Sequence, residues 1–365
     1  MDRERTTDIG AWVTEAGLAG MSEPDLLRGF CERANAAGVP LARAIVGVDT
    51  LHPVHEGRVF RWYPDRADLS AFGEYGRISE SSEAEEVWRR SPWYHLVESG
   101  GSLFRRNLAR GDSADFSIIK ELRAEGLTDY VALIHRFAAK GVIGEMDCVY
   151  SSWSTGAPEG FTDDQIGVLL QLAPSLALAI KCGSLTRIAE TLVETYLGRD
   201  AGRRVLSGRI ARGVADRIEA VLWYSDLRGY TRITDTAPPD QVIPLLNDYA
   251  DAIVSAVHEA GGDVLKLIGD GTLAIFNAED RGHACRCALN AEALARDRIA
   301  ALNERRAAEQ LPLTQAYLGL HIGEVFYGNI GSQDRLDFTV VGPAVNEVSR
   351  IAAMCRSAER DVLVS

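Results

Sequence analysis

Basic residues are in short supply: 39 Lys and Arg stand against 52 Asp and Glu, a formal net charge of −13. General nucleic-acid binding needs a basic footprint, so this balance argues against that class. It does not exclude a nucleotide substrate, because bound metal ions reverse the local sign. Long apolar runs are lacking too. The longest candidate, Val168–Ile180, is interrupted by Gln171 and Pro174 and is too short to cross a bilayer, so no membrane span is expected. The N-terminus, MDRERTTDIG, lacks the apolar core of a signal peptide, and a cytoplasmic protein is the expectation. The six cysteines, Cys31, Cys148, Cys182, Cys285, Cys287 and Cys355, form neither a disulfide framework nor a zinc pattern and are expected to be structural thiols. What remains is a chain of 365 residues, 46% hydrophobic, which suggests two domains with a substantial core.

Three stretches carry the chemistry. In Val221–Thr231, VLWYSDLRGYT, an apolar strand-type run meets Asp226; Leu227, Arg228, Gly229, Tyr230 and Thr231 follow. Strand, carboxylate, tight turn and helix start hold a metal carboxylate beside free backbone N–H groups that take phosphates. Alone, an Asp ending a strand is more often a turn residue or a helix cap. In Val264–Phe276, VLKLIGDGTLAIF, two β-rich runs flank Gly269-Asp270-Gly271, a hairpin signal, with Lys266 four residues before Asp270. Two carboxylates on neighbouring strand ends can hold two Mg²⁺ ions, hard cations that want oxygen ligands and substrate phosphates. In Phe338–Ile351, FTVVGPAVNEVSRI, a short strand ending near Thr339 meets a Gly-Pro break and then a helix. Asn346 and Arg350, four apart, share one helical face.

In this order the three stretches resemble the catalytic domain of class III nucleotidyl cyclases, and LGLHIGEVFYGNIG at Leu318–Gly331 is similar to that family as well. The resemblance covers about residues 214–365. It implies an α+β, ferredoxin-like domain that converts ATP to cyclic AMP and pyrophosphate with two Mg²⁺ or Mn²⁺ ions. Asp226, Asp270 and the Leu227 carbonyl are implied as metal ligands, and Arg228, Gly229, Tyr230 and Thr231 as substrate-binding residues. Asn346 is implied to orient the ribose, and Arg350 to stabilise charge on the α-phosphate. Lys266 and Thr339 are implied to read the base. A Lys donor and a Thr acceptor suit adenine N1 and its exocyclic amine, whereas guanylate cyclases of the family resemble one another in a Glu and often a Cys there. Thr339 places the chain near the Thr-bearing subclass. The family splits its residues between subunits, so a homodimer with two shared sites is implied. The family also continues past the last strand, with a basic residue for the terminal phosphates; the expectation is a catalytic domain shortened at Ser365. Two alternatives stand beside this: a guanylate cyclase of the same fold, and a silent ligand-sensing dimerisation protein.

Upstream, residues 1–38 have a helical pattern ended by Gly38-Val39-Pro40, and Leu41–Asp49 and Val59–Tyr63 have strand character. Phe116–Glu125 is expected as a helix, Val131–Phe137 and Val142–Ser151 as strands, and a helix from Phe161–Asp164 to about Lys181. This order resembles a GAF domain, an antiparallel sheet flanked by helices that often binds a small molecule. Trp62, Trp93, Tyr130 and Trp153 are candidates to line such a pocket, although strand aromatics are more often core. His52 and His55 have no ligand set around them and are expected in a hairpin loop. Leu178, Leu185 and Leu192, with Ile188, form a short heptad seam. Gly198–Gly213 is expected as the linker, giving residues 1–184 as sensor, 185–213 as helical linker and 214–365 as catalytic domain. Gly323-Glu324 is expected to separate strands Tyr317–Ile322 and Val325–Ile330.

Overall fold

The computed structural model describes residues 3–64, 66, 69–77, 83–138 and 142–365. The fold is α+β, in two compact units, Met1–Leu192 and Val193–Ser365.

The first unit opens with α1 (Arg3–Leu18) and α2 (Glu23–Ala36). These are two helices where the pattern over residues 1–38 suggested one region, because the Ser22 hydroxyl accepts from the Asp25 N–H and caps α2 afresh. Strands β1 (Arg43–Asp49), β2 (His55–Trp62) and β3 (Phe72–Gly76) follow, then α3 (Glu83–Arg89), α4 (Pro92–Ser99), β4 (Leu103–Asn107), α5 (Ser117–Ala124), β5 (Asp129–Arg136), β6 (Cys148–Thr155) and the 35-residue α6 (Asp163–Leu197). The sheet is antiparallel in the order β3-β2-β1-β6-β5-β4. One face packs on α1, α2 and α6 through Phe30, Leu172 and Ile180, and the other carries Leu96, Ile119 and Leu122 from α4 and α5.

Strand alternation separates the four aromatics that the sequence offered as pocket lining. Ala44 lies between Trp62 and Trp153 in register, and all three join the first core, whereas Tyr130 and Trp93 belong to the opposite face. They cannot line one pocket. The His52 ring accepts N–H bonds from Val54 and His55, so it organises a turn, as a loop residue would. The heptad seam is not continuous either: Leu178 is 61% exposed, while Leu185 and Leu192 lean on the first core. Among the described residues, α6 is one helix long and apolar enough to cross a membrane by length and composition. The sequence pattern ended this helix near Lys181. Its apolar residues Leu169, Leu176 and Ile180 are buried in the first core.

The end of β1 carries a testable electrostatic cost. The Tyr75 hydroxyl donates to Asp49 at 2.7 Å, and Gly57 leaves the room: a Cβ there would lie 2.0 Å from that hydroxyl. Burial, with Asp147, Glu56 and Glu145 nearby, raises the Asp49 carboxyl to about 6 although the Tyr75 bond opposes the rise. A raised carboxylate pKa favours the folded state below the unfolded value of 3.8, and that contribution is lost as pH climbs through 6. Asp49→Asn is therefore expected to match wild type in denaturant midpoint near pH 4 and to exceed it by on the order of 1–2 kcal/mol at pH 7.5. Equal stability at both pH values would refute this account.

The second unit begins within the end of α6. The segment expected as linker forms α7 (Arg199–Leu206), and Arg204 bridges Asp200 and Asp216, so its arginines are spent on local ion pairs. Then come β7 (Ala215–Leu227), α8 (Tyr230–Thr236), α9 (Pro239–Glu259), β8 (Asp263–Ile268), β9 (Gly271–Asn277), α10 (Arg281–Ala308), β10 (Ala316–Gly331), β11 (Leu336–Val341), α11 (Pro343–Ala358) and β12 (Val362–Val364). The sheet runs β11-β10-β7-β9-β8, with β12 parallel to β10 and the remaining pairs antiparallel. Strands β10, β7, β9 and β8 have the ferredoxin-like arrangement, with α9 and α10 on one face around Trp223, Leu245 and Ile299. The expected break at Gly323-Glu324 is absent, because β10 is one 16-residue strand. A Cβ on Gly323 would meet the Ala344 Cβ at 2.7 Å, and one on Gly319 would meet the Ala352 N and the Val348 O at 2.7 Å. These glycines let α11 approach the strand closely; neither turns the chain.

Candidate active site

Asp226 sits one residue before the end of β7, and Ser225 beside it pairs with Thr272 of β9. That register sets the end of β7 against the β8–β9 turn. The turn has two residues, Gly269 and Asp270, flanked by the pair Ile268 and Gly271. Gly269 has φ 63°, the left-handed conformation that such a hairpin demands at its first central position. Gly271 must stay small, since a Cβ would lie 3.0 Å from the Ser225 carbonyl. Backbone geometry thus brings the carboxyl groups of Asp226 and Asp270 within hydrogen-bonding reach of each other.

The Asp226 residue remains exposed, yet its carboxyl is raised to about 6. Partial desolvation at the strand end is the larger cause, followed by the hydrogen bond and the charge of Asp270. Tyr224, two residues earlier, is raised by burial and then by the same two carboxylates. A cleft of about 180 Å³ adjoins the turn, lined by Leu227, Leu246, Asn247, Ile253, Asp270 and Thr272. Among the described residues no group of three or more His, Cys, Asp or Glu is placed to hold a metal ion by itself. The Asp226–Asp270 pair nevertheless fits a divalent cation: two carboxyl groups this close repel each other, a cation between them relieves that repulsion, and hard cations take carboxylate and phosphate oxygens.

The remaining site residues fall into separate groups. Leu227 is buried, its side chain in the core of α9 and α10. Gly229 has φ 72° and caps α8, in which Tyr230 and Thr231 are the first two residues. The Arg228 N–H is not free for a phosphate, because it donates to the Gln315 carbonyl at 2.7 Å. The Arg228 side chain turns instead to Asp361, 3.8 Å away, and to the face of Tyr317. Lys266 is held by an ion pair with Asp337, and Thr339, largely buried, lies two residues along the same strand, so Asp337 and Thr339 project to one face of β11. Asn346 and Arg350 are exposed on α11, which buries Ala344, Val348 and Ala352 on its other side. The chain therefore brings together Asp226 with Asp270, and Lys266 with Asp337. No contact joins either pair to Asn346 or Arg350 among the described residues.

Asp337 and Tyr224 escaped sequence reasoning. Asp337 had one signal, its period-two offset from Thr339. Tyr224 had the same offset from Asp226.

The order of β7, α9, β8, β9, α10 and β10 around one antiparallel sheet defines the class, a ferredoxin-like α+β domain with a carboxyl pair at its strand ends. Residues 215–365 match the adenylate and guanylate cyclase catalytic domain, and this segment is a class III nucleotidyl cyclase catalytic domain. Adenylate cyclase 1 of Rhizobium meliloti (strain 1021) is 30% identical over 176 residues, which cover 47% of this chain and 26% of that protein. An adenylate cyclase of Anabaena cylindrica is 33% identical over 157 residues, 42% of this chain and 30% of that protein. The chain thus spans less than a third of the length of these curated relatives. Among solved structures, the adenylyl cyclase CyaB from P. aeruginosa matches with TM-score 0.39 and 24% identity, over 42% of this chain and 79% of that one. The guanylyl cyclase Cya2 matches with TM-score 0.35 and 30% identity, over 38% of this chain and 71% of that one.

Proposed function

We propose that the chain is an adenylate cyclase that forms cyclic AMP and pyrophosphate from ATP at sites shared across a homodimer, under the control of its first unit. The observation that carries this reading is the Asp226–Asp270 carboxyl pair on adjacent strand ends. Asp226, Asp270 and the Leu227 carbonyl would hold two Mg²⁺ or Mn²⁺ ions, which when bound would acidify the ribose 3′-hydroxyl and offset phosphate charge. In the reaction the 3′-oxygen bonds to the α-phosphorus, the bond from that phosphorus to the pyrophosphate oxygen breaks, and the hydroxyl proton is released. Arg350 from the second chain supports charge on the α-phosphate with its planar fork, and Asn346 orients the ribose. The backbone at Gly229, Tyr230 and Thr231 faces the phosphates at the start of α8.

Adenine selection rests on Lys266 as donor and Thr339 as acceptor. The names of the two bacterial relatives support the same choice. Asp337 adds a carboxylate acceptor beside Lys266, and this favours a second reading, because guanine offers N–H donors at N1 and N2. The sheet order of the first unit, with helices on both faces, supports a GAF-like sensor.

The test is product formation by the purified chain with Mg²⁺ or Mn²⁺, ATP and GTP run in parallel. Cyclic AMP is expected at a kcat/KM at least about tenfold above that for cyclic GMP, a discrimination of about 1.4 kcal/mol. Cyclic GMP as main product would replace the adenylate reading with the guanylate one. No cyclic nucleotide from either would overturn both.

A further inference from the structure

The first unit contains a half-buried arginine, one of whose guanidinium nitrogens is buried without a partner among the described residues. Arg43 opens β1, and its Nε donates to the Tyr63 hydroxyl at 3.3 Å. Its Nη1 is buried and has no hydrogen-bond partner, and Arg43 makes no ion pair among the described residues. Directly across the sheet, Ser154 of β6 pairs in register with Arg43, and beyond it stands Tyr130 of β5. Cross-strand partners project to the same face. Ser154 is 0% exposed, and its hydroxyl also lacks a partner. The Tyr130 phenol lies close enough to feel the Arg43 charge and is hydrogen-bonded to Ser152, which is likewise buried; burial raises that phenol to about 12.

Leaving a guanidinium nitrogen and a hydroxyl without partners on a buried face costs stability, and folds retain such groups where a ligand completes them. An arginine can only donate, and it is always charged. In the same row Ser154 and Tyr130 offer hydroxyls, and Arg106, in register with Tyr130, is already spent on an ion pair with Asp115. We propose that Arg43, Ser154, Tyr130 and Ser152 form a binding site for a small organic anion bearing a carboxylate or a phosphate. The guanidinium takes the charged oxygens, and the Ser154 hydroxyl donates to the same group. The site lies wholly within the first unit and does not depend on the cyclase reading.

The experiment is a thermal-shift titration of the full chain with sodium phosphate and, separately, sodium acetate, against sodium chloride at matched ionic strength. At least one of the two anions is expected to raise the melting temperature saturably, and the arm that does so tells phosphate from carboxylate. Apparent affinity should fall at least about 30-fold in Arg43→Met and about tenfold in Ser154→Ala. Arg43→Lys, which keeps the charge and loses the fork, should fall between wild type and Arg43→Met and serves if the latter does not fold. Because phosphate can also meet the catalytic unit, Arg350→Ala is included and should keep the shift. No shift beyond chloride with either anion would overturn the site, as would a shift that survives in Arg43→Met or vanishes in Arg350→Ala alone.

Discussion

An equimolar mixture of Asp226→Ala and Arg350→Ala chains, each nearly inactive alone, is expected to recover about a quarter of wild-type cyclase activity. Within one chain Asp226 meets Asp270, so the carboxylate half of the site assembles without a partner. Asn346 and Arg350 stand exposed on α11, and among the described residues their side chains have no hydrogen bond or ion pair. Two polar side chains four apart on one exposed face suit a second molecule better than their own. In a two-fold dimer each site takes carboxylates from one chain and the α11 pair from the other. Random pairing makes about half the dimers mixed, and each mixed dimer retains one intact site of two, which gives the quarter. Each single substitution should lower kcat about 1000-fold or more, one by loss of cation binding and the other by loss of charge support for the α-phosphate. Cyclic AMP formation is measured against mixing ratio, and differently tagged chains verify the mixed dimers. Mixed dimers that form and stay at the level of the single variants would exclude a shared site.

Much of the second unit was legible because its signals are local. Asp226 ends an apolar run, and Gly269-Asp270 lies between two strands, so each carboxylate could be placed from its neighbours alone. That the two meet depends on the register of β7 with β9, which is a tertiary fact. The glycines of β10 show the opposite case. A glycine between apolar residues signals either a turn or a close approach, and only the position of α11 decides between them. Trp62, Trp93, Tyr130 and Trp153 failed as a set for a related reason. The side to which each strand residue points follows from pairing, and the pairs Tyr130 with Ser154 and Val131 with Trp153 put Tyr130 and Trp153 on opposite faces. Arg43 was invisible in the sequence, since nothing near it predicts burial of its Nη1. A helical linker was expected over 185–213, and α7 lies within it; what composition did not show is that its arginines are spent locally, Arg204 on Asp200 one turn away and on Asp216 of β7.

Changing the base preference should take three substitutions rather than two. Under the proposed reading, Lys266 donates to adenine N1 and the Thr339 hydroxyl accepts from the amine, so Lys266→Glu with Thr339→Cys removes both adenine contacts. Cyclic AMP formation should then drop about 100-fold or more, the cost of leaving polar groups unpaired in a buried recognition site. GTP activity should not rise to match. Lys266 is ion-paired with Asp337, so a glutamate at position 266 would face that carboxylate with no cation between them. Two carboxyls so placed share a proton, and a protonated or displaced glutamate accepts poorly from guanine N–H groups. Adding Asp337→Asn removes the opposing charge and leaves a hydrogen-bond partner for the new glutamate. The triple variant is therefore expected to favour GTP over ATP, with kcat/KM for GTP at least about tenfold above that of the double variant. Parallel kinetics with both nucleotides decide the matter. A double variant that already prefers GTP would show that Asp337 does not constrain position 266, and a triple variant that still prefers ATP would remove Lys266 and Thr339 from base reading.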